Sequence, residues 1–245
     1  MEREQVLAYR VAAHHLHERL PAGAEREAAG VIGLQDFPPG LAASALSARV
    51  SDADIDRLAV VYTFRGAAVA VPPDDVAVFT VGLAPPDEEA ARALVGTAVD
   101  TPDPAGISAT DALDRVSDAV AGALAGGPLE RDDFHQALRE RLPAELLWWC
   151  RGCQSHHVHP SLWRATGIRG VLAVAERRGR VTVFGAPPEM RGQRRIPSLD
   201  VQIVTRSFGG PLRRSASRIF FVTRPGARAL AQRNALERAA QGARP

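Results

Sequence analysis

Apolar residues spaced three and four apart, followed by a short pair of strand-like segments, occur near the start of the chain and again after a proline-rich connector. That order predicts a mainly α, α+β chain of tandem winged-helix modules, each a helix-turn-helix with a β-wing. The first module is placed at residues 1–100, the second at 110–188, and a basic remnant of a third at 189–245. With 245 residues, 46% of them apolar, the chain can bury a sizeable core.

In "QVLAYRVAAHHLHERL", Val6, Tyr9, Ala13, Leu16 and Leu20 share one helical face, and Pro21 and Gly23 end the run. Arg10, His14 and His17 fall on the opposite, polar stripe. "AEREAAGVIGL" predicts a second helix and "LAASALSARV" a third. "SDADIDRLAVV" reads as a further helix, with Ser51 as N-cap and acids in its first turn. "YTFRGAAVAVPPDD" is a strand pair broken at Arg65-Gly66 and closed by Pro72-Pro73, the first wing.

"LAPPDEEAARALVGTAVDTPDPAGISAT" supplies a helix and a connector near 100–110. Beyond it, Leu113, Val116, Val120 and Leu124 line one helix, a Gly-Gly-Pro turn follows, and Phe134, Leu138 and Leu142 line another. "GVLAVAERRGRVTVFGAPPE" is the second wing, with Arg177, Arg178 and Arg180 at or near its tip. After 189 the pattern is less regular, and two short helices around Val201–Phe208 and Gly226–Glu237 are expected.

Charge is strongly polarised. Residues 1–163 hold 13 Arg against 24 Asp and Glu, whereas 164–245 hold 17 Arg against 4. Such a basic block suits a phosphate backbone or a solvated tail in an arginine-biased chain; with the winged-helix outline, double-stranded DNA is the expected partner. All 30 cationic residues are arginine, a composition bias in its own right. "MEREQVLAYR" is charged and helical, unlike a secretory leader, and no apolar run approaches the ~20 residues that span a bilayer. A cytoplasmic, nucleoid-associated monomer without a membrane segment is expected. Two cysteines are too few for a disulfide framework.

Two clusters could carry chemistry. In "GVIGLQDFPPG", Gln35 and Asp36 stand at a break in regular structure, because Pro-Pro cannot continue a helix and biases the residue before it away from one. Asp before an aromatic and two prolines also fits an ordinary turn whose carboxylate bonds local backbone amides. In "CRGCQSHHVHPSLWR", Cys150, Cys153, His156 and His157 offer enough ligands for tetrahedral zinc. The same residues equally fit a reduced thiol pair beside solvated histidines. Trp148, Trp149 and Trp163 flank them, as core or as stacking surfaces.

The stretches "VLAYRVAAHHL", "VIGLQDFPPGLAASALSARVSDADIDRLAVVYTFRGAAVAVPPDD", "GGPLERDDFHQALRERLP" and, more faintly, "FFVTRPGARALAQRN" resemble the AlkZ-like family of winged-helix DNA glycosylases, over about the first 185 residues. The resemblance implies excision of bulky or crosslinked alkylated purines without a required cofactor. Its signature of two glutamines around an apolar residue, usually followed by Asp, falls on Gly33, Leu34, Gln35 and Asp36. Only the second glutamine is retained, making Gln35 the water-positioner and Asp36 the stabiliser or base that the resemblance implies. The family's "RGT" stands as Arg65, Gly66 and Ala67. Arg65, Arg177, Arg178, Arg180, Arg10 and His14 are the expected DNA contacts. A non-catalytic DNA-binding protein, a regulator or a lesion reader, is the alternative that the loss at Gly33 implies.

Overall fold

The computed structural model describes residues 2–30, 32–63, 66–99, 106–179 and 181–188, together with the strand backbone of 202–205 and 219–222. The chain forms two compact units, Met1–Gly192 and Gln193–Pro245.

Helix α1 (Arg3–Ala13) is shorter than its sequence pattern. His14 caps it and His15 adopts φ 53°, a left-handed conformation that ends the helix, after which Leu20 bridges Val50 in parallel. His17 therefore leaves the stripe that Arg10 occupies. Helix α2 (Glu25–Ala29) stops at Gly30, whose φ is 60°, so Leu34–Gln35 forms a short strand β1 instead of a helix end. Helix α3 (Leu41–Ser47) follows the prolines as predicted.

The predicted helix at 51–61 is not formed. The Asp54 carboxylate accepts from Asp56 N at 3.0 Å and caps a single 3-10 turn, Ile55–Arg57, and the following Ala-Val-Val-Tyr run becomes strand β2 (Ala59–Tyr62). β-branched residues lose side-chain freedom in a helix and pack well on a pleated surface, and here that surface is available. Strand β3 (Ala68–Val71) completes the first hairpin.

A short helix α4 (Val76–Phe79) precedes α5 (Glu88–Val95), which is capped by the Asp87 carboxylate on Ala90 N at 2.8 Å. Helix α6 (Ala109–Leu124) buries Leu113, Val116, Val120 and Leu124, the stripe its periodicity predicts. Strand β4 (Leu129–Glu130) leads into α7 (Arg131–Arg141), which buries Phe134 and Leu138. Each such fully buried side chain contributes roughly 1.5–3 kcal/mol of apolar transfer. Next come β5 (Leu147–Cys150) and β6 (Ser155–Val158), a separate two-stranded ladder, then α8 (Pro160–Ala165), β7 (Ala173–Arg178) and β8 (Val181–Gly185).

Six strands form one antiparallel sheet in the order β1-β3-β2-β7-β8-β4. The two hairpins, more than a hundred residues apart in the chain, are joined edge to edge through Val60↔Val174 and Val61↔Ala173. Both faces are covered. Ala59, Val61, Val69 and Val71 pack with Val76, while Tyr62, Ala68 and Phe184 join the core of α5 to α8. Gly167 lets the turn after α8 lie directly against Tyr62, where any Cβ would strike the Tyr62 backbone.

In the second unit, β9 (Gln202–Thr205) and β10 (Ile219–Val222) pair antiparallel, from Ile219↔Thr205 to Val222↔Gln202. Residues 202–205 are thus a strand where a helix over Val201–Phe208 was expected. The helix expected at Gly226–Glu237 lies outside the described residues. Among the described residues, no helix is long and apolar enough to cross a membrane.

Candidate active site

The turn after β1 is built around one carboxylate. Asp36 is 3% exposed; its Oδ1 accepts from Gly40 N at 2.7 Å and from Ala42 N at 3.3 Å, and its Oδ2 accepts from Arg177 Nη2 at 2.5 Å. The first two bonds tie it to the amino end of α3, where free amides favour negative charge. The third reaches across from β7. Arg177 also donates to Thr182 through Nη1, and its Nε is buried without a partner among the described residues. Both Asp36 oxygens thus carry hydrogen bonds within a nearly buried turn.

Gln35 is exposed on the strand immediately before this lock, and its Nε2 donates to Phe37 O at 3.3 Å. Gly33, on the same strand approach, has φ 69°, and a Cβ there would meet Val69 Cγ1, Val71 Cγ1 and, at 2.9 Å, Ala70 O. The fold closes position 33 to any side chain, so this turn presents one glutamine and not two.

Beside the Asp36 turn lies a cleft of about 520 Å³ between the two hairpins and the start of α7. Its lining includes Phe37, Tyr62, Trp163, Phe184, Arg164 and Arg177. The aromatic rings meet edge-on, with centroids 5.5 Å apart for Tyr62 and Trp163 and 5.3 Å for Trp163 and Phe184. The Arg164 guanidinium stands 5.1 Å from the Trp163 ring centroid. Burial raises the Tyr62 hydroxyl above the usual phenol range, opposed by Arg164 and Arg177, so it stays a neutral donor. Glu130, Asp132 and Asp133 on the rim offset Arg131. Phe37 follows Asp36 directly in the chain, whereas Tyr62, Trp163 and Phe184 come from distant segments and were not singled out in sequence as part of the Gln35 site.

The expected DNA contacts are placed unevenly. Arg10 and His14 are exposed. Arg177 is turned inward to Asp36, away from a wing tip, because the buried carboxylate needs a cation. Arg178 ends β7 and pairs with Glu176 at 2.8 Å and Glu130 at 3.2 Å. Arg65 and Arg180 lie outside the described residues, as does most of the basic block.

The Cys/His segment is a hairpin. Cys150 ends β5, Cys153 sits in the turn, and Gln154, at φ 49°, returns the chain into β6. Ligand atoms of Cys150, Cys153 and His157 all lie within 4.8 Å of one another. His156 is excluded from this group. Neighbouring residues on a strand face opposite sides, and His156 lies against Trp149 with ring centroids 5.1 Å apart. His159 caps α8 by accepting from Ser161 N at 3.2 Å. The Cys150 thiol is lowered to about 6, chiefly by the Cys153 backbone amide and by His157.

Comparisons with known proteins agree with this architecture. The family described as DNA glycosylase AlkZ-like matches over residues 27–242, well beyond the stretch whose resemblance is evident by eye. Among solved structures, Streptomyces sahachiroi DNA glycosylase AlkZ is similar, with a TM-score of 0.50 at 20% identity over 78% of this chain and 51% of that one. At that identity the likeness concerns the fold, and the chain spans about half the length of that glycosylase. No curated protein matches.

Proposed function

Since the chain belongs to the AlkZ-like DNA glycosylase family, we propose that it is a monofunctional glycosylase that removes N7-alkylated, bulky or crosslinked purines from double-stranded DNA, acting as a monomer through winged-helix modules. The observation that carries this is Gln35, the exposed amide next to a carboxylate locked by Arg177.

Cleavage of the C1′–N9 bond develops oxocarbenium character on the sugar. N7-alkylation already places positive charge on the purine, so the departing electron pair neutralises it and no strong acid is required. A water oxygen then bonds to C1′ and its proton passes to solvent. Gln35 is suited to hold that water: with Nε2 directed to Phe37 O, Oε1 remains free to accept. Asp36 acts by position, fixing the turn and the register of Gln35. Arg10, His14, Arg65 and Arg180 contact phosphate, a role that orients DNA without reading its sequence. Arg178 joins them only by exchanging Glu176 and Glu130 for phosphate.

The test is base release from a duplex carrying one N7-alkylguanine, read as strand cleavage after alkali. Gln35→Ala is expected to slow release by on the order of 100-fold while leaving the thermal midpoint in place. A second reading, a lesion binder that excises nothing, is favoured by the closed position at Gly33. Salt-sensitive binding of the same duplex without release would establish it and overturn the enzyme.

A further inference from the structure

The hairpin of β5 and β6 stands apart from the main sheet. A two-stranded ladder is marginal in water unless something else holds it. Its strand register puts Cys150 and His157 on one face, since His157 pairs with Trp148 two residues before Cys150. The turn brings Cys153 back to the same side. His157 has Nδ1 3.0 Å from Val158 O; with Nδ1 as donor to that carbonyl, the tautomer leaves Nε2 as the free electron pair. Helix α7 packs on β6 and presents His135, whose ring centroid is 6.0 Å from that of His157 and whose Nδ1 is buried with no partner among the described residues. An orphaned buried ring nitrogen next to the His157 imidazole calls for an acceptor of its lone pair.

We propose that Cys150, Cys153 and His157 bind one zinc ion, with His135 as the fourth ligand, and that this centre staples the β5–β6 hairpin to helix α7. Two thiolates and two imidazoles form a common structural zinc set, with bonds of about 2.3 Å to sulfur and 2.0–2.1 Å to nitrogen. Two rings on one tetrahedral ion have centroids about 5 Å apart by those bond lengths, and His135 lies outside the 4.8 Å group of the other three ligands, so it moves inward to complete the set. The Cys-x-x-Cys pair supplies neighbouring ligands, and the second pair comes from β6 and α7, the separation typical of structural sites. His156 faces the opposite side of β6, and Nδ1 of His159 already accepts from Ser161 N.

The experiment uses the full chain, stripped with chelator and titrated with Co²⁺. Tetrahedral cobalt with a thiolate-to-cobalt band, at one equivalent and displaced by Zn²⁺, is the expected result. Cys153→Ser and His157→Ala should each abolish the band, and His156→Ala should leave it intact. His135→Ala should shift the visible bands, as one nitrogen ligand is exchanged for water. Zinc should also raise the thermal midpoint of the wild type and not that of His157→Ala. Absence of any cobalt band, with both thiols reacting freely with Ellman's reagent in the presence of Zn²⁺, would overturn the site. An unchanged spectrum in His135→Ala would overturn the assignment of the fourth ligand, and loss of binding in His156→Ala would overturn that of His157.

Discussion

Arg177 and Asp36, 141 residues apart in the chain, form an ion pair with Nη2 2.5 Å from Oδ2, at side-chain exposures of 22% and 3%. The bond spans the seam where the two hairpins share a sheet, and it holds the turn that presents Gln35. Removing one partner leaves a buried charge whose remaining bonds do not neutralise it, which costs about 3 kcal/mol or more. Arg177→Ala should therefore lower stability by that amount in urea unfolding. Asp36→Asn with Arg177→Ala together should cost less than the sum of the single changes, a coupling read from the double-mutant cycle.

Gly33 is a steric requirement of the β1–β3 pairing. With φ 69° and Ala70 O at 2.9 Å from any added Cβ, Gly33→Ala should cost more than ~1 kcal/mol. Gly33→Gln, which restores the family signature on paper, should lower the thermal midpoint further and give no gain in base release. A stable, faster Gly33→Gln variant would show that β1 can be re-registered.

Phe37 is 55% exposed and lines the cleft beside the Asp36 turn. A solvent-exposed ring there is available to stack on an unpaired base or the sugar edge. Phe37→Ala should weaken binding to lesion-bearing duplex by on the order of tenfold with an unchanged thermal midpoint, measured by fluorescence anisotropy at fixed salt. Equal affinity in the variant would remove Phe37 from the DNA surface.

Glu88 ties helix α5 to the start of α6, accepting from Ala109 N at 2.8 Å, from Thr110 N at 2.9 Å and from Thr110 Oγ1 at 2.9 Å. These amides, Thr110 N first, hold its carboxyl at about 2, below its ordinary value of 4.5. A lowered folded-state value means stability that is fully present above the unfolded value and lost as pH falls from 4.5 toward 2. Urea midpoints across that window should fall less steeply for Glu88→Gln than for the wild type. Parallel slopes would assign the acid sensitivity to other carboxylates.

Helices α5, α6 and α7 were legible because their signal is local. Asp87 and Ser108 cap the first two, and the 3.6-residue period of Leu113, Val116 and Val120 needs no knowledge of the rest of the chain. The hairpin of β2 and β3 was visible for the same reason. Residues 51–61 and 202–205 were not, because short β-branched runs suit either a helix or a strand until a neighbouring strand exists to pair with. The β5–β6 ladder was hidden likewise, its tryptophans reading as core or as stacking surfaces.

What the amino-acid order determined alone was the α+β class, the main helices, the polarised charge and the presence of Gln35 and Asp36 at a break in structure. Tertiary structure decided which partners those residues meet. It turned Arg177 inward onto Asp36, closed position 33 to a side chain, and separated His157 from His156. The physical reason is that turns and helical faces follow from neighbours a few residues away, whereas ion pairs across a sheet follow from strand register between distant segments, and a shift of one residue reverses which side chains face each other.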